Sequence, residues 1–335
     1  MCGRKVLLYF AWSRPAETHA PLTIIDDRFP AIFELRRLFY PKFERWSDRG
    51  QVDQGIAGFL DHIQKPNFQV FLEQTQALTG QQVIQIERIT DDGAMTPLDG
   101  ALAGVDTIVV ISFDSLRTDQ VATTAEVEAI KHFLDNPDHL IFVCPHHDIG
   151  ETAGSAGEDR VERQLAEYLH HGDHGIPPRQ GFGGFARTLL AGLGVPVENR
   201  FGLRPAATLH GTPAPVEIDR DLDELGLLRD VETFNLHPHL PQLERIGPSN
   251  ERMDVLARQK IDLQAPPHPF TQGGRSSFDA LLQSRPETFA GKLLVCDTTL
   301  FSSTAGGVEN LRRFWANMMG RRLRFDITHQ TVNRR

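Results

Sequence analysis

The chain is poor in cysteine: Cys2, Cys144 and Cys296 are the whole complement of its 335 residues, an odd number with no CxxC spacing. A disulfide framework is therefore not expected, and Cys144 and Cys296 each close an apolar run, as buried strand residues would in a reducing cytoplasm. Also missing is any apolar stretch near the roughly 18 residues that a membrane span requires. Arg4 and Lys5 precede the apolar run 6–12 in the manner of a leader peptide. That run is short and no small-residue cleavage site follows, so it reads as a first strand. Positive charge is in deficit too: the formal net charge of -9 gives no general attraction to phosphate backbones, so no nucleic-acid partner is expected. The local exception, Arg312, Arg313, Arg321, Arg322, Arg324, Arg334 and Arg335, reads as a solvated helix face and a frayed basic tail over 321–335. There is no internal repeat, no low-complexity segment, no HExxH and no P-loop lysine.

What is present is an alternation of strands and helices. Residues 6–10, 107–113, 140–143 and 293–296 are continuous apolar runs of strand length, the pattern of strands buried on both faces of a parallel sheet. Residues 82–89 alternate as a further strand would. Helical spacing recurs at 68–78, stopped by Gly80, at 185–193, and around Leu311, Phe314, Trp315 and Met318, stopped by Gly320. Thr123 and Glu126 form a capping-box pair ahead of Val127, Ile130, Phe133 and Leu134. A short helix is read between Pro30 and Pro41, and a polar one over 160–169. Successive βαβ units predict an α/β, flavodoxin-like, doubly wound parallel sheet with large loop insertions. One domain spans 1–335, with its core in about 5–150 and 290–320 and insertions at about 15–66 and 151–290. Residues 195–275 show few periodic runs, yet a structureless stretch that long is improbable in a compact domain, so short strands are expected within it.

Two parts of the pattern carry a family resemblance. The run 106–112 (DTIVVIS), a helix over 126–134 and the run 140–144 (LIFVC) form one. The run 291–301 (GKLLVCDTTLF), followed by 309–314 (ENLRRF), forms the other. Together they resemble the central and closing units of class I glutamine amidotransferase-like domains of the flavodoxin-like superfamily, including ThuA-like and gliding-motility-associated members. By position the resemblance makes Cys144 the counterpart of the amidotransferase nucleophile, on a strand-to-helix elbow. Such an elbow draws an oxyanion donor from the next backbone N–H. Here the next residue is Pro145, which has none. Losing one such donor costs roughly a hundred- to a thousandfold in rate, so Cys144 reads as a buried structural thiol.

The densest chemistry follows the run 140–143. His146, His147 and Asp148 lie at the carboxyl end of that strand, and His170, His171, Asp173 and His174 form a second cluster. Imidazole and carboxylate ligands suit zinc, iron or manganese, and two ligand-rich turns can converge on one ion. Metal-free acid/base or anion-binding histidines, and a solvated loop, are the other readings. Because parallel strands share a direction, their carboxyl ends would bring Arg14, Asp114, Ser115, Asp297 and Thr298 to the same edge. Asp114, His146, His147 and Asp148 are thus the catalytic candidates, and Arg14, Asp297 and Thr298 the substrate-binding ones. The run 180–185 (QGFGGF) could present amides to an anion at a helix start or pack a tight turn. His237, His239 and His268 could also reach the site. The expected function is that of a small-molecule enzyme, a metal- or His/Asp-dependent hydrolase, in the cytoplasm and away from membranes. The alternative is a non-catalytic ligand-binding or assembly module, and homo-oligomerisation is left open.

Overall fold

The computed structural model describes residues 4–18, 65–114, 118–148, 181–237, 239–265, 268–303 and 305–321, together with 159, 162 and 165. In chain order, β1 (Val6–Ser13) runs into α1 (Arg14–Thr18), then come α2 (Gln69–Thr79), β2 (Ile84–Ile89), β3 (Thr107–Ser112), α3 (Thr124–Phe133) and β4 (Leu140–Pro145). Next are α4 (Gly184–Gly192), β5 (Val197–Glu198), β6 (Gly202–Leu203), β7 (Glu217–Ile218), β8 (Leu240–Pro241), β9 (Glu244–Arg245) and α5 (Ser249–Arg252). The long strands β10 (Met253–Lys260) and β11 (Ser277–Ser284), then β12 (Lys292–Cys296) and α6 (Val308–Gly320), are the last elements among the described residues. The helix read between Pro30 and Pro41, and most of the one over 160–169, fall outside the described residues.

The protein is a mixed α/β structure built on one eight-stranded sheet in the order β2-β1-β3-β4-β12-β11-β10-β7. The first five strands pair in parallel, and the last three extend the sheet antiparallel. Alternate residues of a strand point to opposite faces, which divides the core in two. Leu8, Phe10 and Trp12 of β1 join Phe71 of α2 and Leu311, Phe314 and Trp315 of α6. Leu7, Tyr9 and Ala11 join Val127 and Ile130 of α3 and Phe185 and Leu189 of α4. With both faces covered, β1, β3, β4 and β12 are buried along their whole length, and the continuous apolar runs follow from that. No helix among the described residues is long and apolar enough to cross a membrane.

Local signals set the helix limits. Gly80 closes α2 in the left-handed conformation (φ 69°), its N–H reaching Gln76 O. At α3 the Thr123 side chain accepts from Glu126 N while the Glu126 carboxylate accepts from Thr123 N, a reciprocal cap worth about 1 kcal/mol. The same Glu126 carboxylate is fully buried against Arg88, at 3.0 Å, and accepts from the amide of Leu98. This ion pair therefore locks β2 to α3.

The segment expected as a loop insertion between the fourth and last parallel strands is in part sheet. β10 and β11, eight residues each, carry the antiparallel extension, so the sheet is mixed rather than wholly parallel. Charge hides these strands in the sequence: Arg258 and Asp279 face each other in register and pair at 2.8 Å, a cross-strand contact that breaks the apolar alternation. Arg321, read as the start of the basic tail, is buried. Its guanidinium donates to Met318 O, Thr107 Oγ1 and the carbonyls of Asp106 and Asp138, tying the end of α6 to the amino edge of the sheet.

Candidate functional site

The carboxyl ends of β4 and β12, neighbours in the sheet, place His146 beside Asp297. Their register pairs Val143 with Val295, so Cys144 and Cys296 come next on each strand. The sulfurs lie 3.7 Å apart as free, buried thiols. Burial, reinforced by the neighbouring Cys296 and the negative charge of Asp297, pushes the Cys144 thiol well above its ordinary pKa. A thiol held protonated in this way is not a nucleophile.

Just past the thiols, His146 Nδ1 meets Asp297 Oδ1 at 2.8 Å, with side-chain exposures of 7% and 4%. Burial works against the Asp297 charge, yet His146, His237 and the hydroxyl of Thr299 together hold its carboxyl below the usual range. An ionised carboxylate accepts only, so Nδ1 of His146 carries the proton and, in the neutral ring, Nε2 carries the lone pair. The second carboxylate oxygen accepts from Thr299 N at 2.9 Å and from Thr299 Oγ1, which fixes the Asp297 rotamer. Thr298 Oγ1, buried beside them, has no hydrogen-bond partner among the described residues.

Three further imidazoles gather here. The His147 ring lies 4.0 Å from that of His146, centre to centre, and the His237 ring 5.2 Å from His146. His239 completes the group at 5.6 Å from His147, and Phe113 packs on His146 at 5.1 Å. His237 and His239 come from the segment least legible in the sequence, and the His-x-His spacing itself is the signal that points to them. Asn235, which donates to Thr299 Oγ1 at 2.9 Å, had no sequence signal. His268 caps a short helix instead: its Nδ1 accepts from Phe270 N at 3.0 Å.

The other candidates reach the edge but face elsewhere. Asp114 is fully buried at the start of α4, where its carboxylate accepts from Phe185 N at 2.7 Å and from Ser112 Oγ. Burial pushes its pKa up to about 6 despite those hydrogen bonds. Asp148 accepts from Phe182 N at 2.9 Å. The glycine-rich turn thus presents its amides to the chain's own carboxylates, which is the turn-packing reading. Arg14 meets Glu87: Nη2 lies 2.8 Å from Oε1 and Nε contacts Oε2, while Trp12 Nε1 donates to the same carboxylate at 2.8 Å. Ser115, His170, His171, Asp173 and His174 lie outside the described residues. Among the described residues no group of three or more His, Cys, Asp or Glu side chains could hold a metal ion.

No protein-family model matches the chain, and no curated protein matches it.

Proposed function

We propose that this protein is a small-molecule hydrolase in which His146, oriented by Asp297, is the base that activates water. The contact between the two, 2.8 Å and buried, carries the reading. A His–carboxylate pair at the carboxyl edge of parallel strands has the position of a ligand site and the chemistry of a general base, with Nε2 left to take a proton. The hydroxyl of Thr298, without a hydrogen-bond partner among the described residues, supports a donor to substrate. Asp114 and Asp148 contribute by fixing the 181–185 turn beside the site, and Arg14 by closing the β1 end through Glu87. The parallel strand order β2-β1-β3-β4-β12 supports the flavodoxin-like reading, whose order is 2-1-3-4-5. The unbonded thiols Cys144 and Cys296 suit a reducing cytoplasm.

A second reading, a non-catalytic ligand-binding or assembly module of the amidotransferase-like fold, is favoured by the burial of Cys144, at the place where that family carries its nucleophile. The discriminating experiment screens purified protein against chromogenic esters, amides and phosphate esters. Hydrolysis is expected, with Asp297→Asn lowering kcat by roughly a hundred- to ten-thousandfold and moving KM far less. No turnover across the panel, or turnover unchanged in His146→Asn, overturns the hydrolase in favour of the module.

A further inference from the structure

The last paired residue of β4 is Pro145, opposite Ser112 of β3. From His146 to Asp148 the backbone groups must therefore find partners outside the sheet ladder. Asn199, directly after β5 and only 1% exposed, meets them at two points. Its Nδ2 donates to His146 O, and its own carbonyl oxygen accepts from Asp148 N at 3.2 Å. The same Nδ2 donates to Phe182 O at 3.1 Å, while Oδ1 accepts from Arg187 Nη1 of α4 at 2.8 Å. Two acceptors thus face the amide nitrogen and one donor faces the amide oxygen, so a single orientation of this side chain satisfies all three contacts.

We propose that Asn199 is a positioning residue for the dyad: Asp297 aims the His146 ring, and Asn199 fixes the backbone from which that ring projects. The inference rests on the reading of His146 as the base. Arg187 steadies Asn199 in turn, because its guanidinium also donates to Phe182 O and, at 2.8 Å, to Gly181 O. The turn, the start of α4 and the amide are thereby tied into one piece. Packing leaves this piece no slack: Gly183 has φ +77°, and a Cβ built there lies 3.0 Å from Asn199 Nδ2 and 3.0 Å from Pro145 Cβ. No side chain of similar shape replaces the asparagine, since aspartate lacks the donor and leucine lacks both polar groups. A shift at His146 O carries the ring with it, and a misplacement of about 1 Å costs on the order of a hundredfold in rate.

The test compares the full-length parent with Asn199→Asp and Arg187→Met by two readouts. One is turnover of a chromogenic ester, amide or phosphate ester. The other is the low-field proton NMR resonance of His146 Nδ1–H, the proton shared with Asp297, identified by its absence from His146→Asn. Asn199→Asp keeps an acceptor for Arg187 but turns a carboxylate oxygen toward two carbonyls. Its kcat is expected to fall roughly 10- to 100-fold with KM moved far less, and the resonance to shift or broaden. Arg187→Met leaves the bonds donated by Asn199 in place and is expected to move both readouts the same way by less. It carries the test alone where circular dichroism shows Asn199→Asp unfolded. A purely structural Asn199 lowers stability while kcat and the resonance keep their parent values, and that result overturns the inference. A parent spectrum without the resonance overturns it as well. With no turnover in the parent, the hydrolase fails and the resonance decides alone: a shift in the variants upholds the positioning of the ring, and an unchanged line refutes it.

Discussion

Asn235 donates a hydrogen bond from Nδ2 to Thr299 Oγ1 at 2.9 Å, and its own Oδ1 accepts from His237 N at 3.0 Å. Thr299 in turn donates to Asp297, which holds His146. One buried amide thus connects the segment bearing His237 to the carboxylate that orients the opposite histidine. The dyad and His237 are parts of one hydrogen-bonded frame rather than neighbours by chance.

Replacing Asn235 with alanine leaves the backbone N–H of His237 and one acceptor site of Thr299 without their partner. The expected loss is about 1–3 kcal/mol of stability, measured by denaturant unfolding. Because the change acts on Thr299, which fixes the Asp297 carboxylate, turnover by the proposed hydrolase is expected to fall roughly 10- to 100-fold in kcat, with KM moved far less. A purely structural Asn235 would give the first effect and not the second.

Asp114 has a pH signature of its own. Its folded pKa of about 6 stands above the ordinary 3.8. The folded state therefore keeps a proton that the unfolded chain releases first. The stability this group contributes is complete below the ordinary value and is lost as pH rises through 6. The shift of two units corresponds to about 3 kcal/mol. Asp114→Asn, locked in a neutral form, is expected to lack this dependence, so its stability relative to the parent should rise by that amount between pH 4 and 7. A difference that stays flat with pH would refute the assignment.

Cys144 and Cys296 should resist alkylation in the native protein. Both are buried, and the Cys144 thiol is held protonated. Iodoacetamide at pH 8 followed by mass spectrometry is expected to leave both unmodified until denaturant is added, whatever happens at Cys2. Rapid native labelling of Cys144 would restore it as a nucleophile and weaken the structural role argued above.

The parallel core was legible because strands buried on both faces leave uninterrupted apolar runs, and α2 and α3 because Gly80 and the Thr123/Glu126 pair are strong local stops and starts. β10 and β11 were not, since an in-register pair such as Arg258 and Asp279 looks polar until the partner strand is known. The site followed the same division. Arg14, Asp114, His146 and Asp297 follow the carboxyl ends of β1, β3, β4 and β12, but sequence carries no record of which way a side chain turns. Asp114 and Asp148 are occupied by backbone amides, whereas Asp297 meets a histidine. His237 and His239 arrive from a segment without periodicity, and only tertiary contacts bring them in.

The last prediction concerns the position that presses this segment into place. Gly307, just before α6, has φ +67°, and a Cβ built there runs into the carbonyl of Phe234 and comes within 3.1 Å of Asn235 Cα. Two residues further along the segment, Leu236 N donates to Ala305 O at 2.8 Å. A side chain at position 307 is disfavoured both by the left-handed backbone, at about 1–2 kcal/mol, and by a backbone contact that no rotamer change relieves. Gly307→Ala is therefore expected to cost about 2–4 kcal/mol in unfolding free energy. The displacement falls on Phe234 and Asn235, at the root of the segment that supplies His237 and His239. Turnover by the proposed hydrolase, at a temperature where the variant is still folded, should drop along with stability. Gly306→Ala serves as the control, because its φ of +72° carries a similar backbone cost while a Cβ there meets nothing within 4 Å. Equal loss of turnover in the two variants would show that backbone strain alone, and not the approach to Phe234, sets the position of the histidines.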